Sequence, residues 1–318
     1  MNTLEQLKKY TTVVADTGDF QSIEKYKPQD ATTNPSLILQ AAMDSKYKWL
    51  VDDAVDYAKK TNGDEKKKLR EGLKKTFVNF GSEILKIVPG RVSTEVDARL
   101  SFRIYDTIFF AKGLIRMYEQ AGVSRDRVLI KIAATWEGVR AAEILEREGI
   151  HTNLTLLFCL TQAIACADAH VTLVSPFVGR ILDWYKKERG VDYIPVEHDP
   201  GVQSVREIYN YYKKFGFSTE IMGASFRNKE EIMALTGCDL LTISPKLLGE
   251  LENENVLLKP ALTPESAMQS KMEQVDLDQM TFRWHMNENP MANQKLAEGI
   301  RRFSNDIRTL EKYIQEQL

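Results

Sequence analysis

The sequence predicts an α/β protein whose leading architecture is a closed (β/α)8 barrel. Short apolar runs alternate with longer amphipathic stretches about eight times, a pattern typical of a parallel sheet with crossover helices. Runs such as VLIKIA at 128–133 are almost continuously apolar, which indicates strands that are buried on both faces. No break divides the repeats into halves, and this favours a closed barrel. An open doubly wound sheet is the alternative, although no GxGxxG or P-loop motif follows any strand.

Eight runs of β-branched and apolar residues have the length and composition of strands. In chain order they cover 11–16, 31–34, 92–96, 128–133, 153–158, 171–176, 219–224 and 240–244. Apolar residues at helical intervals predict helices between them, for example over 135–149, where Gly149 supplies the stop, and over 200–216.

Two segments are expected as additions to a single barrel domain that spans 1–318. The highly charged segment 46–86 predicts a pair of helices. Because acids are interspersed among its lysines, we interpret its charge as a solvated helix surface and not as a phosphate or nucleic-acid patch. The segment 263–318 is polar and ends in a periodic helix around 300–314. It predicts a C-terminal helical extension that packs across the barrel or against a neighbouring subunit.

Composition excludes several classes of protein. The chain has 318 residues, is 43% hydrophobic and carries a formal net charge of -2, which argues against disorder and against a generally basic nucleic-acid binder. Its cysteines form no CxxC motif, so buried packing is the expected role of Cys159, Cys166 and Cys238. The four histidines show no metal-ligand spacing, so no metal site is expected. With no signal peptide and no membrane-spanning apolar run, we expect a cytoplasmic protein.

Polar side chains interrupt the predicted strands or follow them directly, and on all seven strands we expect them near the carboxyl end. In a (β/α)8 barrel this end carries the catalytic groups. Any single one could be a structural hydrogen-bonding residue, but their recurrence on seven strands predicts one shared site. These residues are Asp16, Thr32, Asn34, Glu95, Lys131, Asn153, Thr155, Ser175, Ser225 and Arg227.

Lys131 is the strongest single signal, because it lies between apolar neighbours inside a predicted strand. Lysines are almost never fully buried without a partner. A lysine that reaches outward to solvent or pairs with an acid is the structural alternative. The functional interpretation is that burial disfavours the charged form of a lysine, and a neutral amine can attack a carbonyl to form a Schiff base. The resulting iminium accepts the electrons of an adjacent C–C bond when that bond breaks. This chemistry needs neither a metal nor a cofactor.

Schiff-base chemistry also needs groups that move protons, and two carboxylates on other strands are candidates. Asp16 follows the run VVA and Glu95 lies in the run STEV. The structural alternative for Asp16 is a turn residue before Gly18. For Glu95 it is an ion pair with Lys131 or Arg99, and a pair with Lys131 would still tune that lysine.

Two arginines predict a site for a phosphate group. Arg180 and Arg227 each follow a strand, where βα-loops and helix N-termini collect anions. A surface salt bridge is the alternative for either arginine taken alone. Together with Ser225, the two favour a phosphorylated sugar as the substrate.

Long strings of the sequence closely resemble transaldolases of the long-chain group found in bacteria and eukaryotes. The resemblance runs from about residue 4 to about residue 284 and continues more weakly to the end. The strings that carry it are TTVVADTGDF at 11–20, KPQDATTNPSLIL at 27–39, PGRVSTEVDARL at 89–100, LIKIAATWEG at 129–138, NLTLLF at 153–158, SPFVGRILDW at 175–184, MGASFRN at 222–228 and LTISPKLLG at 241–249.

The resemblance implies a (β/α)8 barrel that transfers a dihydroxyacetone unit between phosphorylated sugars in the non-oxidative pentose phosphate pathway. The donor would be sedoheptulose 7-phosphate or fructose 6-phosphate, and the acceptor glyceraldehyde 3-phosphate or erythrose 4-phosphate. It also implies a homodimer. From the chemistry and the composition we expect no cofactor and no nucleic-acid or membrane partner. A true aldolase that releases free dihydroxyacetone is the nearest alternative. A non-catalytic phosphosugar-binding protein on the same fold is the second alternative.

The resemblance also implies a role for each candidate residue. Lys131 would be the Schiff-base lysine and Asp16 the acid/base for C–C cleavage. Glu95, with Thr155 and a water molecule, would relay protons during Schiff-base formation and hydrolysis. The remaining residues would bind the sugar, with Thr32, Asn34, Asn153 and Ser175 at the dihydroxyacetone hydroxyls and Arg180, Ser225 and Arg227 at the phosphate. Phe177 fits transaldolases, whereas a tyrosine is expected there in the related fructose 6-phosphate aldolases.

Overall fold

Eight parallel strands close into a barrel in chain order, which confirms the predicted (β/α)8 fold. The computed structural model describes residues 1–318. All eight predicted strands are present, and their ends agree with the prediction within two residues. The strands are β1 Thr12–Asp16, β2 Asp30–Thr32, β3 Val92–Glu95, β4 Val128–Ala133, β5 Thr152–Leu157, β6 Leu173–Pro176, β7 Glu220–Gly223 and β8 Leu240–Ile243.

Fifteen α-helices surround the strands or extend beyond them, and short 3₁₀ turns complete the connections. The two helices predicted over 135–149 and 200–216 are present as Trp136–Arg147 and Pro200–Lys214, each slightly shorter than expected. The helices are α1 Thr3–Leu7, α2 Phe20–Tyr26, α3 Pro35–Ala42, α4 Lys48–Lys60, α5 Glu65–Ile87, α6 Ile104–Gln120, α7 Trp136–Arg147, α8 Leu160–Asp168, α9 Gly179–Arg189, α10 Pro200–Lys214, α11 Lys229–Met233, α12 Pro245–Glu252, α13 Pro264–Met268, α14 Gln279–Glu288 and α15 Pro290–Gln315.

The charged segment 46–86 forms a helix pair, α4 and α5, as predicted. Asp64 begins α5, since its side chain accepts a hydrogen bond from the backbone N–H of Lys67. Lys66 and Lys67 are exposed, whereas Leu73 and Phe77 of the same helix are buried. Most of the charge therefore lies on the solvated side of an amphipathic pair, and the exception is Lys74, which is buried and pairs with Glu71.

The barrel interior has an apolar lower layer and a polar upper layer. The lower layer is a small cluster of buried side chains, formed by Val14, Leu129, Leu173, Met222 and Leu240. Side chains two residues apart on a strand share a face, so the next interior positions on three of these strands are Asp16, Lys131 and Ser175. Hydrophobic packing closes the bottom of the barrel and leaves the polar groups nearer its carboxyl-end mouth.

The C-terminal helix α15 crosses this mouth and packs against α3, α5, α9 and β5. It contains the helix predicted around 300–314, but begins ten residues earlier at Pro290. Arg99 fixes it to the barrel, because its guanidinium pairs with Asp97 and with Glu311 of α15. No helix of the protein is both long enough and apolar enough to cross a membrane. The three cysteines are buried and unpaired, as expected.

Candidate active site

Lys131 and Glu95 form an ion pair inside the barrel. The register of β3 and β4 places them side by side, and Lys131 Nζ lies 3.4 Å from Glu95 Oε2. Their side chains are only 6% and 3% exposed. Lys131 Nζ also donates a hydrogen bond to the carbonyl oxygen of Thr33 at 3.1 Å. The lysine therefore does not reach outward to solvent, and the acid that pairs with it is Glu95. Arg99 pairs with Asp97 and Glu311 instead.

The burial of Glu95 changes its acidity. Desolvation raises the pKa of Glu95 to about 7, although the charge of Lys131 opposes the shift. Glu95 Oε2 accepts no hydrogen bond from the protein. The buried hydroxyl Oγ1 of Thr155 also forms no hydrogen bond. Buried polar atoms of this kind are usually satisfied by water. A carboxyl group with a pKa near neutrality can both give and take a proton at physiological pH.

Asp16 is the last residue of β1 and not a turn residue. The Oγ1 hydroxyl of Thr32 donates to Asp16 Oδ1 at 2.9 Å, and the same hydroxyl lies 2.7 Å from the hydroxyl of Thr242. Desolvation raises the pKa of Asp16, while the positive charge of Lys131 lowers it. Asp16 thus faces the barrel interior and lies within electrostatic range of the lysine.

A chain of hydrogen bonds crosses the floor of the site. Ser175 Oγ donates to Asn153 Oδ1 at 2.6 Å, and Asn153 Nδ2 donates to Ser93 Oγ at 3.0 Å. The bond from β5 to β3 passes over β4, so these side chains meet inside the barrel. Asn153 is predicted near the carboxyl end of its strand. This prediction is wrong, because Asn153 is the second residue of β5. The stagger of the barrel nevertheless pairs it in register with Lys131, which brings it to the same level.

A pocket of about 240 Å³ opens above Asp16 and is lined by the predicted phosphate-binding residues. Arg180 stacks over the rings of Phe177 and Phe303, 4.9 and 5.7 Å from their centroids. Desolvation lowers the pKa of Arg180 to about 10, helped by the nearby charges of Arg302 and Arg227. The pocket is lined by Asp16, Asn34, Ser36, Leu37, Arg180, Ser225, Phe226, Arg227, Thr242, Ser244, Arg302 and Phe303.

The structure therefore brings the predicted residues into one region at the barrel mouth. Asn34 Oδ1 caps α3 by accepting from the N–H of Leu37, which leaves its amide NH₂ for the pocket. Arg227 is the partial exception, because its guanidinium forms a bidentate ion pair with Asp183 on α9, with Nη2 2.6 Å from Oδ2 and Nε 3.2 Å from Oδ1. No cluster of three or more His, Cys, Asp and Glu side chains could hold a metal ion.

Comparison with known proteins decides the family. A family described as transaldolase/fructose-6-phosphate aldolase matches residues 13–314 of this chain. The chain belongs to this family. It is 56% identical over 317 residues to a transaldolase of Homo sapiens, covering 99% of this chain and 94% of the relative. A probable transaldolase of Dictyostelium discoideum is 56% identical over 319 residues, with 100% and 99% coverage. A transaldolase of a Shewanella strain is 56% identical over 317 residues, also with 100% and 99% coverage.

Sequence reasoning missed eight residues of the site, which are Ser36, Leu37, Ser93, Phe226, Thr242, Ser244, Arg302 and Phe303. Ser93 and Thr242 belong to the interior hydrogen bonds. The strand-end argument could have found Thr242, the third residue of β8, but not Ser93, the second residue of β3. Arg302 and Phe303 come from α15 and line the pocket with Arg180. No short-range signal identifies them, because they lie more than a hundred residues from Arg180 in the chain and only the crossing of α15 brings them near.

Proposed function

We propose that the protein is a transaldolase that transfers a dihydroxyacetone unit from a ketose phosphate to an aldose phosphate. The donors are sedoheptulose 7-phosphate or fructose 6-phosphate, and the acceptors glyceraldehyde 3-phosphate or erythrose 4-phosphate. This reaction belongs to the non-oxidative pentose phosphate pathway. The observation that carries the proposal is a lysine amine inside the barrel, paired with an acid whose pKa lies near neutrality.

The first step joins Lys131 to the ketose. Glu95 takes a proton from the Lys131 ammonium, the amine attacks the C2 carbonyl, and the carbinolamine loses water to leave an iminium. Each stage moves a proton, and Glu95 is the acid 3.4 Å from the amine that can supply or accept it. The buried hydroxyl of Thr155 lies on β5, next to the lysine strand, and is free to hold a water molecule for this relay.

The second step breaks the bond between C3 and C4. Asp16 takes the proton from the C4 hydroxyl, the C4 oxygen becomes the carbonyl of the released aldose, and the bonding electrons pass to the iminium as an enamine. The pKa of Asp16 is raised by burial, which makes the carboxylate a better base. The enamine then adds to the carbonyl carbon of the acceptor, and hydrolysis regenerates the Lys131 amine.

The remaining polar residues hold the sugar at its two ends. Asn153 and Ser175 lie on the floor beside the lysine, with Thr32 and Asn34 nearer Asp16, where the dihydroxyacetone hydroxyls would bind. The pocket in which the phosphate would bind is lined by Arg180, Ser225 and Arg227. Anions are favoured there because three guanidinium groups, counting Arg302, converge on one small space.

An aldolase that releases free dihydroxyacetone is the alternative within the same family. A transferase must keep the enamine from water until the acceptor arrives. Phe177 is buried, packs edge-on against Phe158 with centroids 5.3 Å apart, and has the guanidinium of Arg180 over its ring. An apolar ring at this position offers water no hydrogen-bonding group, which favours the transferase.

Release of glyceraldehyde 3-phosphate from fructose 6-phosphate separates the two activities. We expect sustained release with erythrose 4-phosphate present, and no more than about one equivalent per active site without it. The measurement is a coupled assay of the aldose product, with and without acceptor. Comparable turnover without acceptor would establish an aldolase. No turnover with either fructose 6-phosphate or sedoheptulose 7-phosphate would support a non-catalytic protein.

Three finer expectations stay predictions. We expect a homodimer, a cytoplasmic location, and a single domain over 1–318 in which 263–318 is a helical extension. The contacts that α15 makes with α3, α5 and α9 of its own chain support the last of these.

A further inference from the structure

Glu231 is a buried acid beneath the loop that carries Ser225 and Arg227. It lies on the short helix α11, and its side chain is fully shielded from solvent. Glu231 Oε2 accepts a hydrogen bond of 2.7 Å from the backbone N–H of Arg227. The carboxyl group thus reaches back four residues and holds the backbone of an arginine that lines the pocket.

A second buried acid, Asp199, adjoins the first. Asp199 Oδ1 caps α10, accepting from the N–H groups of Gly201 at 2.7 Å and Val202 at 3.2 Å. The carboxyl groups of Asp199 and Glu231 interact, and the charge of Asp199 raises the pKa of Glu231. Glu231 Oε1 is buried and has no donor in the protein. Ionising both of two neighbouring carboxyl groups in a buried site is energetically unfavourable. This favours a state in which the two share one proton.

We propose that Glu231 is a positioning residue for the phosphate site, and that a proton shared between Glu231 and Asp199 keeps the Ser225–Arg227 loop in its binding position. The inference rests on the proposed phosphosugar function, because it concerns the loop assigned to the phosphate. Neither acid contacts the pocket itself.

The backbone contacts of the loop connect the acid pair to both arginines. Gly179 N–H donates to the carbonyl oxygen of Ser225 at 2.8 Å, directly before Arg180. A Cβ atom at Gly179 would lie 2.6 Å from that oxygen, so the two segments are in close backbone contact. Gly201, whose N–H donates to Asp199, is also in close backbone contact, since a Cβ atom there would lie 2.2 Å from the carbonyl oxygen of Val178. A shift in the acid pair would therefore move the segments that carry Arg180 and Arg227.

The charges around the pair give the direction of its pH dependence. Burial, together with the charge of Asp199, raises the pKa of Glu231 to about 7, while the backbone hydrogen bond from Arg227 and the charge of its guanidinium oppose the shift. Burial is the main cause that raises the pKa of Asp199, the hydrogen bonds from the N–H groups of Val202 and Gly201 oppose it, and the charge of Asp183 on α9 adds a smaller upward shift. Below pH 7 the bridging proton is present. Above it, two adjacent carboxylates repel each other, the loop loosens, and phosphate binding weakens.

The test compares the wild type with Glu231→Gln from pH 6.5 to 8.5. Glutamine keeps an acceptor for Arg227 N–H and a permanent donor for Asp199, so it fixes the protonated arrangement. We expect equal KM values for fructose 6-phosphate at pH 6.5, and a wild-type KM about tenfold above that of the variant at pH 8.5. Ionisation of the substrate phosphate, whose pKa is about 6, affects both proteins equally, so it cancels in the ratio of their KM values. Erythrose 4-phosphate is the acceptor in both assays. The KM for unphosphorylated fructose should be the same in the wild type and in Glu231→Gln at both pH values. The kcat of the variant should stay within twofold of the wild-type value.

Two further variants complete the experiment. Glu231→Ala should raise the KM for fructose 6-phosphate at every pH, towards the value of Arg227→Ala, while Glu230→Gln on the exposed side of α11 should match the wild type. A pH-independent ratio between wild type and Glu231→Gln, or an equal ratio with fructose, would overturn the proposal even if Glu231→Ala fails to fold. Absence of wild-type turnover with any ketose phosphate would instead overturn the proposed function.

Discussion

Lys131→Met should lower the rate of dihydroxyacetone transfer by about 10⁴-fold or more while the barrel stays folded. Methionine fills the volume of the lysine stem but has no amine, so no covalent intermediate forms. Loss of the positive charge leaves Glu95 buried, and that acid becomes protonated because its pKa is already about 7. Steady-state rates of aldose exchange measure the loss, and circular dichroism with thermal melting measures the fold.

Lys74→Met is the matched control for this substitution. Lys74 is equally buried, pairs with Glu71 at 2.9 Å and stacks on Phe110, but it lies on α5 and does not line the pocket. We expect it to lower stability while leaving kcat within about twofold of the wild type. Substantial transfer activity in Lys131→Met, or an equal loss of activity in Lys74→Met, would contradict the role assigned to Lys131.

Asp16→Asn should block cleavage without blocking capture of the ketose. The asparagine Oδ1 can still accept from the Thr32 hydroxyl, but it cannot take the proton from the C4 hydroxyl. We expect kcat to fall by about 10²–10⁴-fold, the usual contribution of a general base. Borohydride treatment of the variant with fructose 6-phosphate should trap the intact hexose on the protein, which intact-mass spectrometry detects.

Asp19→Asn provides the comparison for Asp16. Asp19 lies three residues further along, caps α2 through the N–H of Ser22, and asparagine serves well at that position. It should retain wild-type kcat. If Asp16→Asn formed no trapped adduct, Asp16 would act before cleavage and not in it. If it kept full activity, another base would be required.

The sequence predicts the barrel well, because strands buried on both faces produce conspicuous apolar runs. It also predicts Lys131 well, since a charged residue inside such a run has few structural explanations. The level of each side chain in the barrel is harder to predict. Asn153 lies early in β5 and reaches the site only through the stagger between strands. The same stagger places Glu95, at the end of β3, level with the middle of β4.

Two parts of the site lie beyond sequence reasoning for a different physical reason. Arg302 sits on a strongly amphipathic helix among other charged residues, and only the path of α15 across the mouth brings it to Arg180. Glu231 belongs to the string NKEEIM, where nothing distinguishes it from its exposed neighbour Glu230. Its burial depends on how α11 docks against Asp199, a contact between residues that are 32 positions apart.

The most direct test of the account locates the covalent intermediate in the wild-type protein. Fructose 6-phosphate and borohydride are added together, the protein is digested, and peptides are mapped by tandem mass spectrometry. A reduced sugar adduct on Lys131, absent without substrate, is the predicted result. An adduct on any other lysine, or acceptor-dependent transfer with no trapped adduct on any lysine, would contradict the assignment of Lys131 as the Schiff-base residue.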